Sequence, residues 1–303
     1  MLRTATLSLV LLTGCSSAVG VVEPIAIDDP IPTGTPESVG LDLSYLERVV
    51  QHLDDEGGHK LHSALVARNG TLVFERYFNG FGRDNPHDLR STTKSITSLL
   101  TGIAIEQGAL ESVDAPLMES LGASYPEVTD RGDIRLRHLL TMSSGLDCDD
   151  GDRSTRGQED RMYRSRDWVE TFLTLSRPYA PGDTTRYCTG GVVALGEAIA
   201  QGAGRDVAAF ADEALFAPLG IRNYRWDRFD GGRKVDTGGH LLLTPQGMTK
   251  IGMLVLEEGR WGEETLVSRE WIERSVTPQT RINGVPYGYL WWRFTLPYGD
   301  RRV

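Results

Sequence analysis

The stretch RSTTKSITSLLTGIAIEQG, Arg90 to Gly108, decides how the chain is read. Ile96, Leu99, Leu100 and Ile103 recur at helical spacing, and Gly108 stands where a helix stop is expected. The spacing predicts an amphipathic helix that opens at Ser91-Thr92-Thr93-Lys94. Side chains three residues apart share a helix face, so the Lys94 amine reaches toward the Ser91 hydroxyl. A serine hydroxyl is a weak nucleophile until a neighbouring base takes its proton. The positive end of the helix dipole favours the negative charge that develops during attack. Ser91 is therefore a candidate nucleophile and Lys94 its candidate base.

A pattern with two fixed positions carries little weight alone. The lysine usage of the chain adds to it. There are 28 arginines and four lysines, Lys60, Lys94, Lys234 and Lys250. Arginine keeps its proton under nearly all conditions, whereas a buried lysine can lose its charge and act as a base. Lys94 thus departs from the local habit. It also sits where the chemistry needs it, between a strand hairpin and an apolar helix.

With 303 residues, 40% of them hydrophobic, the chain supports a substantial core in one or two domains. A net charge of -10 and the lack of a basic run argue against nucleic-acid binding. Arg3, the apolar run Ala5 to Leu12 and Leu12-Thr13-Gly14-Cys15 together resemble a bacterial lipoprotein signal. Residues 1–14 are expected to be the signal peptide, Cys15 the lipid anchor, residues 15–38 a proline-bearing tether, and 39–303 the folded domain. The alternative is an ordinary signal peptide with a coincidental cysteine; the apolar run is too short to span a bilayer. Either way the protein is expected outside the cytoplasm, and the lipoprotein reading anchors it to the cell-envelope membrane, facing the periplasm or the exterior. Cys148 and Cys188 then remain as an even set, and they are expected to form a disulfide.

Leu41 to Leu53 shows helical spacing. Ser63 to Arg68 and Thr71 to Tyr77 read as strands joined by Asn69-Gly70, a strong signal for a tight hairpin. From Leu110 to about Phe216 the pattern is mainly helical, with helices expected over 134–142, 192–200 and 210–223. His138 and His240 read as structural histidines. The acidic run Asp147 to Asp152 lacks the full spacing of a calcium loop, and no grouping has zinc spacing, so no metal or cofactor is assigned. Tyr187 and Thr189, beside Gly190-Gly191 and ahead of a helix, suit the wall of a substrate pocket. Further helices are expected over 246–258 and from Val267-Ser268-Arg269-Glu270 to near Val276, and Tyr287 to Phe294 has strand character.

From about Pro36 onward the chain resembles the serine β-lactamase and penicillin-binding-protein superfamily, class C β-lactamase-like branch. The segments that carry this are Ser91-Thr92-Thr93-Lys94, Ile134 to Leu146, Arg186 to Gly191, Phe210 to Ile221, Thr237 to Met248 and Tyr287 to Trp292. The Leu-Thr-Pro and Trp-Trp segments look most like 6-aminohexanoate-dimer hydrolases, and β-lactamase-fold esterases belong to the same branch. The resemblance implies an α/β (α+β) fold. In it, an antiparallel sheet is flanked by helices, with a mostly helical region inserted over about 110–235. It also implies a hydrolase of small esters, amides or peptides that needs no cofactor. Ser91 would form an acyl-enzyme, and Lys94 and Tyr187 would share the proton transfers.

Two departures bear on activity. Tyr187-Cys188-Thr189 stands where the family usually has Tyr-x-Asn or Tyr-x-Ser, and a threonine cannot mimic an amide; this weighs against true β-lactamase activity. The family's third motif, expected on a strand after Trp291-Trp292, is not found before Val303. The sequence is therefore expected to be a fragment of a longer hydrolase whose final strands and second oxyanion donor lie beyond it. The alternatives are a true β-lactamase or D-alanyl-D-alanine carboxypeptidase, and a non-catalytic relative that binds peptidoglycan or a partner.

Overall fold

Asn69 and Gly70 both adopt left-handed backbone angles, φ 51° and 72°, the pair that folds one strand tightly back on the next. They join β1 (Ser63–Arg68) to β2 (Thr71–Tyr77), with Arg68 opposite Thr71. The computed structural model describes residues 31–56, 60–298 and 301–302. The expected signal peptide, Cys15 and the tether up to residue 30 lie outside the described residues. The chain divides into two units, one over residues 32–81 and one made of Ile31 with 82–303.

In the first unit, α1 (Leu43–Glu56) precedes the hairpin, and Val50, Leu72, Val73 and Phe74 are buried. Residues 32–38 depart from the expected tether. Thr33 bridges to Leu72, the Gly34 N–H donates to the Leu72 carbonyl at 3.1 Å, and the Leu72 N–H donates to the Pro32 carbonyl at 2.9 Å. The extended Pro32–Thr33 backbone satisfies the open edge of β2, a use of backbone groups that composition does not reveal.

The second unit runs β3 (His87–Asp88), α2 (Thr93–Glu106), α3 (Leu117–Leu121), α4 (Leu136–Leu140), α5 (Glu159–Met162), α6 (Trp168–Leu173), α7 (Thr189–Ala203) and α8 (Val207–Ala211). After these come β4 (Tyr224–Trp226), β5 (Arg228–Phe229), β6 (Lys234–Val235), β7 (Leu241–Leu243) and α9 (Pro245–Leu256). The order continues with β8 (Arg260–Trp261), β9 (Glu264–Thr265), α10 (Arg269–Val276), β10 (Thr280–Ile282) and β11 (Val285–Tyr287). The strand ladders are antiparallel, and β3, β7 and β4 make a three-stranded sheet in which Leu243 lies opposite both His87 and Tyr224. This is the expected mixture of helices and antiparallel strands.

Helices α2 and α7 pack together at the centre. Ile96, Leu99, Leu100 and Ile103 of α2 and Val192, Val193, Leu195 and Ile199 of α7 are buried. Burial of each such side chain contributes about 1.5–3 kcal/mol, so this contact sets the frame for the side chains at the two helix starts. Among the described residues no helix is long and apolar enough to cross a membrane.

Three elements differ from the sequence expectation. Helix α7 begins at Thr189, so Gly190 and Gly191 lie in its first turn, close against Phe172. The helix expected over 210–223 starts at Val207, capped by the Asp206 carboxylate, and passes into a π-helical turn over Asp212–Phe216. The strand expected over 287–294 ends at Tyr287. There Leu290 takes a left-handed angle of φ 64° and donates its N–H to the Leu140 carbonyl, so the chain folds back rather than extending.

Candidate active site

Ser91 occupies a single 3₁₀ turn, Arg90–Thr92, that runs directly into α2. Arg90 has a left-handed angle of φ 48°, and the Asp88 carboxylate accepts its N–H at 2.9 Å. This bend leaves Ser91 exposed. Lys94, one turn later, is 1% exposed. The nucleophile candidate therefore faces outward and the base candidate inward, on one helix face.

The Lys94 ammonium donates three hydrogen bonds. They go to Ser91 Oγ at 3.1 Å, Thr189 Oγ1 at 2.9 Å and the Gly238 carbonyl at 2.6 Å. Gly238 reaches this position because it lacks a side chain. A Cβ there would lie 2.6 Å from Thr189 Cγ2. The segment before β7 is sewn to both central helices. Thr97 Oγ1 donates to the Thr237 carbonyl at 2.7 Å, and Thr237 Oγ1 donates to the Val192 carbonyl at 2.9 Å.

Thr189, expected in a pocket wall, is fully buried, and its hydroxyl meets Lys94 and Asp150. Asp150 Oδ2 accepts the Thr189 N–H at 2.8 Å and the Thr189 hydroxyl at 2.7 Å, while the Asp150 N–H donates to the Tyr187 carbonyl at 2.8 Å. The expected Cys148–Cys188 disulfide is present, with its Cα atoms 5.4 Å apart. It joins the Asp150 loop to the Tyr187–Thr189 segment.

Tyr187 presents its ring to Lys94, whose Nζ lies 5.0 Å from the ring centroid. The ring stacks on Trp292 at 5.5 Å and meets the edge of Tyr287 at 6.3 Å. Burial holds the Tyr187 hydroxyl above its usual pKa, with contacts to Ser91 and Trp292 opposing the shift.

Charge around the lysine is tuned by burial. Desolvation pushes Lys94 down to about 8, against the carboxylates of Asp150, Asp236 and Glu159. Burial also pushes Asp150 and Asp236 up to about 6 each, opposed in both by Lys94. Asp150 Oδ1 and Asp236 Oδ2 are buried with no protein hydrogen-bond partner, and each is therefore a natural seat for a proton. Among the described residues no group of three or more His, Cys, Asp or Glu side chains could hold a metal ion.

Sequence reasoning placed Ser91, Lys94, Tyr187 and Thr189 in one site, and the structure brings them together. It did not find Asp150, Asp236, Gly238 or His240. His240, read as structural, stands at the rim. Its Nδ1 lies 2.8 Å from Asp88 Oδ2, the Arg90 guanidinium lies 3.2 Å from its Nε2, and the Tyr163 ring meets its edge. His138 stays structural, its Nδ1 accepting the Arg135 N–H at 3.1 Å. None of the site residues lines the cavity of about 440 Å³ bordered by Glu197, Arg205 and Lys234.

Comparison with known proteins gives the family and the fold. Residues 46–297 match the family model described as Beta-lactamase. The 6-aminohexanoate-dimer hydrolase of Paenarthrobacter ureafaciens is 25% identical over 227 residues, covering 69% of this chain and 55% of that protein. Esterase EstB of Burkholderia gladioli is 25% identical over 179 residues, covering 53% of this chain and 45% of the esterase. The chain thus spans about half the length of these two relatives. The solved penicillin-binding protein of Bacillus halodurans shares the fold, with a TM-score of 0.61 at 19% identity over 80% of this chain and 82% of that one.

Proposed function

Because the chain belongs to the beta-lactamase family, we propose that it is a serine hydrolase that cleaves ester or amide bonds through an acyl-enzyme on Ser91. Lys94 is the base and Tyr187 the second proton-transfer group. The observation that carries this reading is the 3.1 Å contact between a buried Lys94 and an exposed Ser91. Ser91 Oγ attacks the substrate carbonyl carbon as its proton passes to Lys94 Nζ. The C–O or C–N bond then breaks, and the leaving group takes a proton from the Lys94–Tyr187 pair. Water attacks the ester that remains, passes its proton to the same pair, and releases the acid with Ser91 restored.

Lys94 suits the base better than Tyr187 does. A lysine near 8 is partly neutral at physiological pH, whereas burial keeps the Tyr187 hydroxyl protonated and ready to donate. Two relatives bear the names of an amide and an ester hydrolase, which supports that substrate class. Thr189 in place of the family's amide or serine favours esters and simple amides over β-lactams. We also place the protein at the cell envelope, held by lipid on Cys15; the leader-like residues and a disulfide, which persists in oxidising compartments, support this.

The test is hydrolysis of a p-nitrophenyl ester, a small anilide and a chromogenic cephalosporin by the parent and by Ser91→Ala. The reading expects ester or anilide turnover that Ser91→Ala abolishes. Equal turnover by both proteins refutes it. A folded protein inert toward all three, both as this chain and as the whole gene product, favours a binding module instead.

A further inference from the structure

We propose that Asp150 is a positioning residue: acting through Thr189, it fixes the lone pair of neutral Lys94 on Ser91. The inference rests on the serine-hydrolase reading above and deepens it. A hydroxyl has one proton to give. The Thr189 hydroxyl gives its proton to Asp150 Oδ2 at 2.7 Å, and that same oxygen also accepts the Thr189 N–H at 2.8 Å. The other acceptor near the hydroxyl, Glu159 Oε2 at 3.4 Å, is again a carboxylate. Thr189 Oγ1 therefore meets Lys94, 2.9 Å away, as an acceptor. The Gly238 carbonyl, 2.6 Å from Nζ, can only accept.

A neutral amine has two N–H bonds and one lone pair. Two fixed acceptors hold both N–H bonds, and the one direction left points to Ser91 Oγ at 3.1 Å. Without Asp150 the Thr189 hydroxyl is free to turn its proton onto the lysine lone pair. Lys94 would then donate to Ser91 instead of accepting from it. Asp150 is aimed by its own N–H bond to the Tyr187 carbonyl and by the disulfide two residues before it.

The rate at which a fluorophosphonate labels Ser91, followed across pH, tests this without knowledge of the substrate. Serine displaces fluoride from phosphorus, and the base takes the serine proton. Asp150→Ala and Thr189→Val are expected to lower the high-pH labelling rate about 100-fold, within the usual range for a lost general base. Thr189→Ser keeps the hydroxyl and is expected to recover most of what Thr189→Val loses. Asp150→Asn keeps an oxygen acceptor but removes charge. It is expected to keep most of the rate and to move the acid-side midpoint to lower pH. The groups facing Lys94 are Asp150, Glu159, Asp236 and Tyr187, with His240 beside Asp236, and Asp150→Asn removes one anion that favours the protonated amine.

A purely structural tie would not distinguish Thr189→Ser from Thr189→Val by rate once both are folded. That result overturns the inference, as does parental labelling in folded Asp150→Ala. If Asp150→Ala does not fold, by circular dichroism, the comparison of Thr189→Ser with Thr189→Val decides. A folded protein that never labels, both as this chain and as the whole gene product, overturns the serine-hydrolase reading itself, and the inference with it.

Discussion

Lys94 Nζ lies 3.1 Å from Ser91 Oγ, and the two residues differ sharply in surroundings: the serine is exposed and the lysine is enclosed. Burial depresses the lysine pKa, while exposure leaves the serine open to a substrate. The proposed nucleophile and its proposed base have opposite needs, and one helical turn meets both.

Lys94→Arg separates charge from basicity. Arginine keeps a cation at this position but does not give up its proton. The expected result is a loss of ester or anilide hydrolysis of about 10²–10⁴-fold, with secondary structure retained by circular dichroism. Retained activity would remove Lys94 from the proton path.

The pH dependence follows from the direction of the lysine shift. Lys94 must be neutral to accept a proton, and its pKa is lowered to about 8. The value of kcat/KM is therefore expected to rise through a midpoint near 8 and fall as acid protonates the amine. A profile flat across that window would contradict the assignment.

Asp236→Asn links stability to the same titration. Asp236 is fully buried, and burial raises its pKa to about 6 in the fold. A carboxyl with a raised folded pKa contributes stability while protonated and loses it as pH climbs from the unfolded value through the folded one. At pH 7 the neutral amide removes that cost. The variant is expected to gain on the order of 1–3 kcal/mol in denaturant unfolding and to shift the activity midpoint to lower pH. A less stable variant with an unmoved midpoint would count against this account.

The Cys148–Cys188 bond closes a loop with a sequence separation of 40 and ties Asp150 to Tyr187. Reduction, or paired Cys→Ser replacement, is expected to cost about 2–4 kcal/mol and to slow hydrolysis before global unfolding begins. Activity and melting temperature are measured with and without reductant. Unchanged values would leave the bond without a role in the site.

Cys15→Ser tests the anchor. The parent is expected in the membrane fraction of expressing cells and the variant in the soluble fraction. The same distribution for both would refute the lipid reading.

The part of this site that was legible in the sequence is the part made by local contacts. Ser91 and Lys94 meet because they stand three apart on one helix, and the hairpin turn follows from Asn69-Gly70 alone. The disulfide followed from cysteine parity. Gly238, Asp236 and His240 reach the site only through the crossing of the segment before β7, which no local period encodes. Asp150 was hidden in an acidic run that resembled an incomplete metal loop. Its signpost was Cys148, two residues away, since a bridge to Cys188 carries Asp150 toward Thr189. The fold-back at Leu290 stayed hidden because its cause is an acceptor on α4, far away in sequence.

The central claim is that Ser91 is a nucleophile activated by Lys94. Intact-mass spectrometry after exposure to a fluorophosphonate, followed by peptide mapping, tests it most directly. The expected result is one adduct, on the peptide that carries Ser91, absent from Ser91→Ala and formed far more slowly in Lys94→Arg. No adduct on the folded protein, or an adduct that persists in Ser91→Ala, would contradict it.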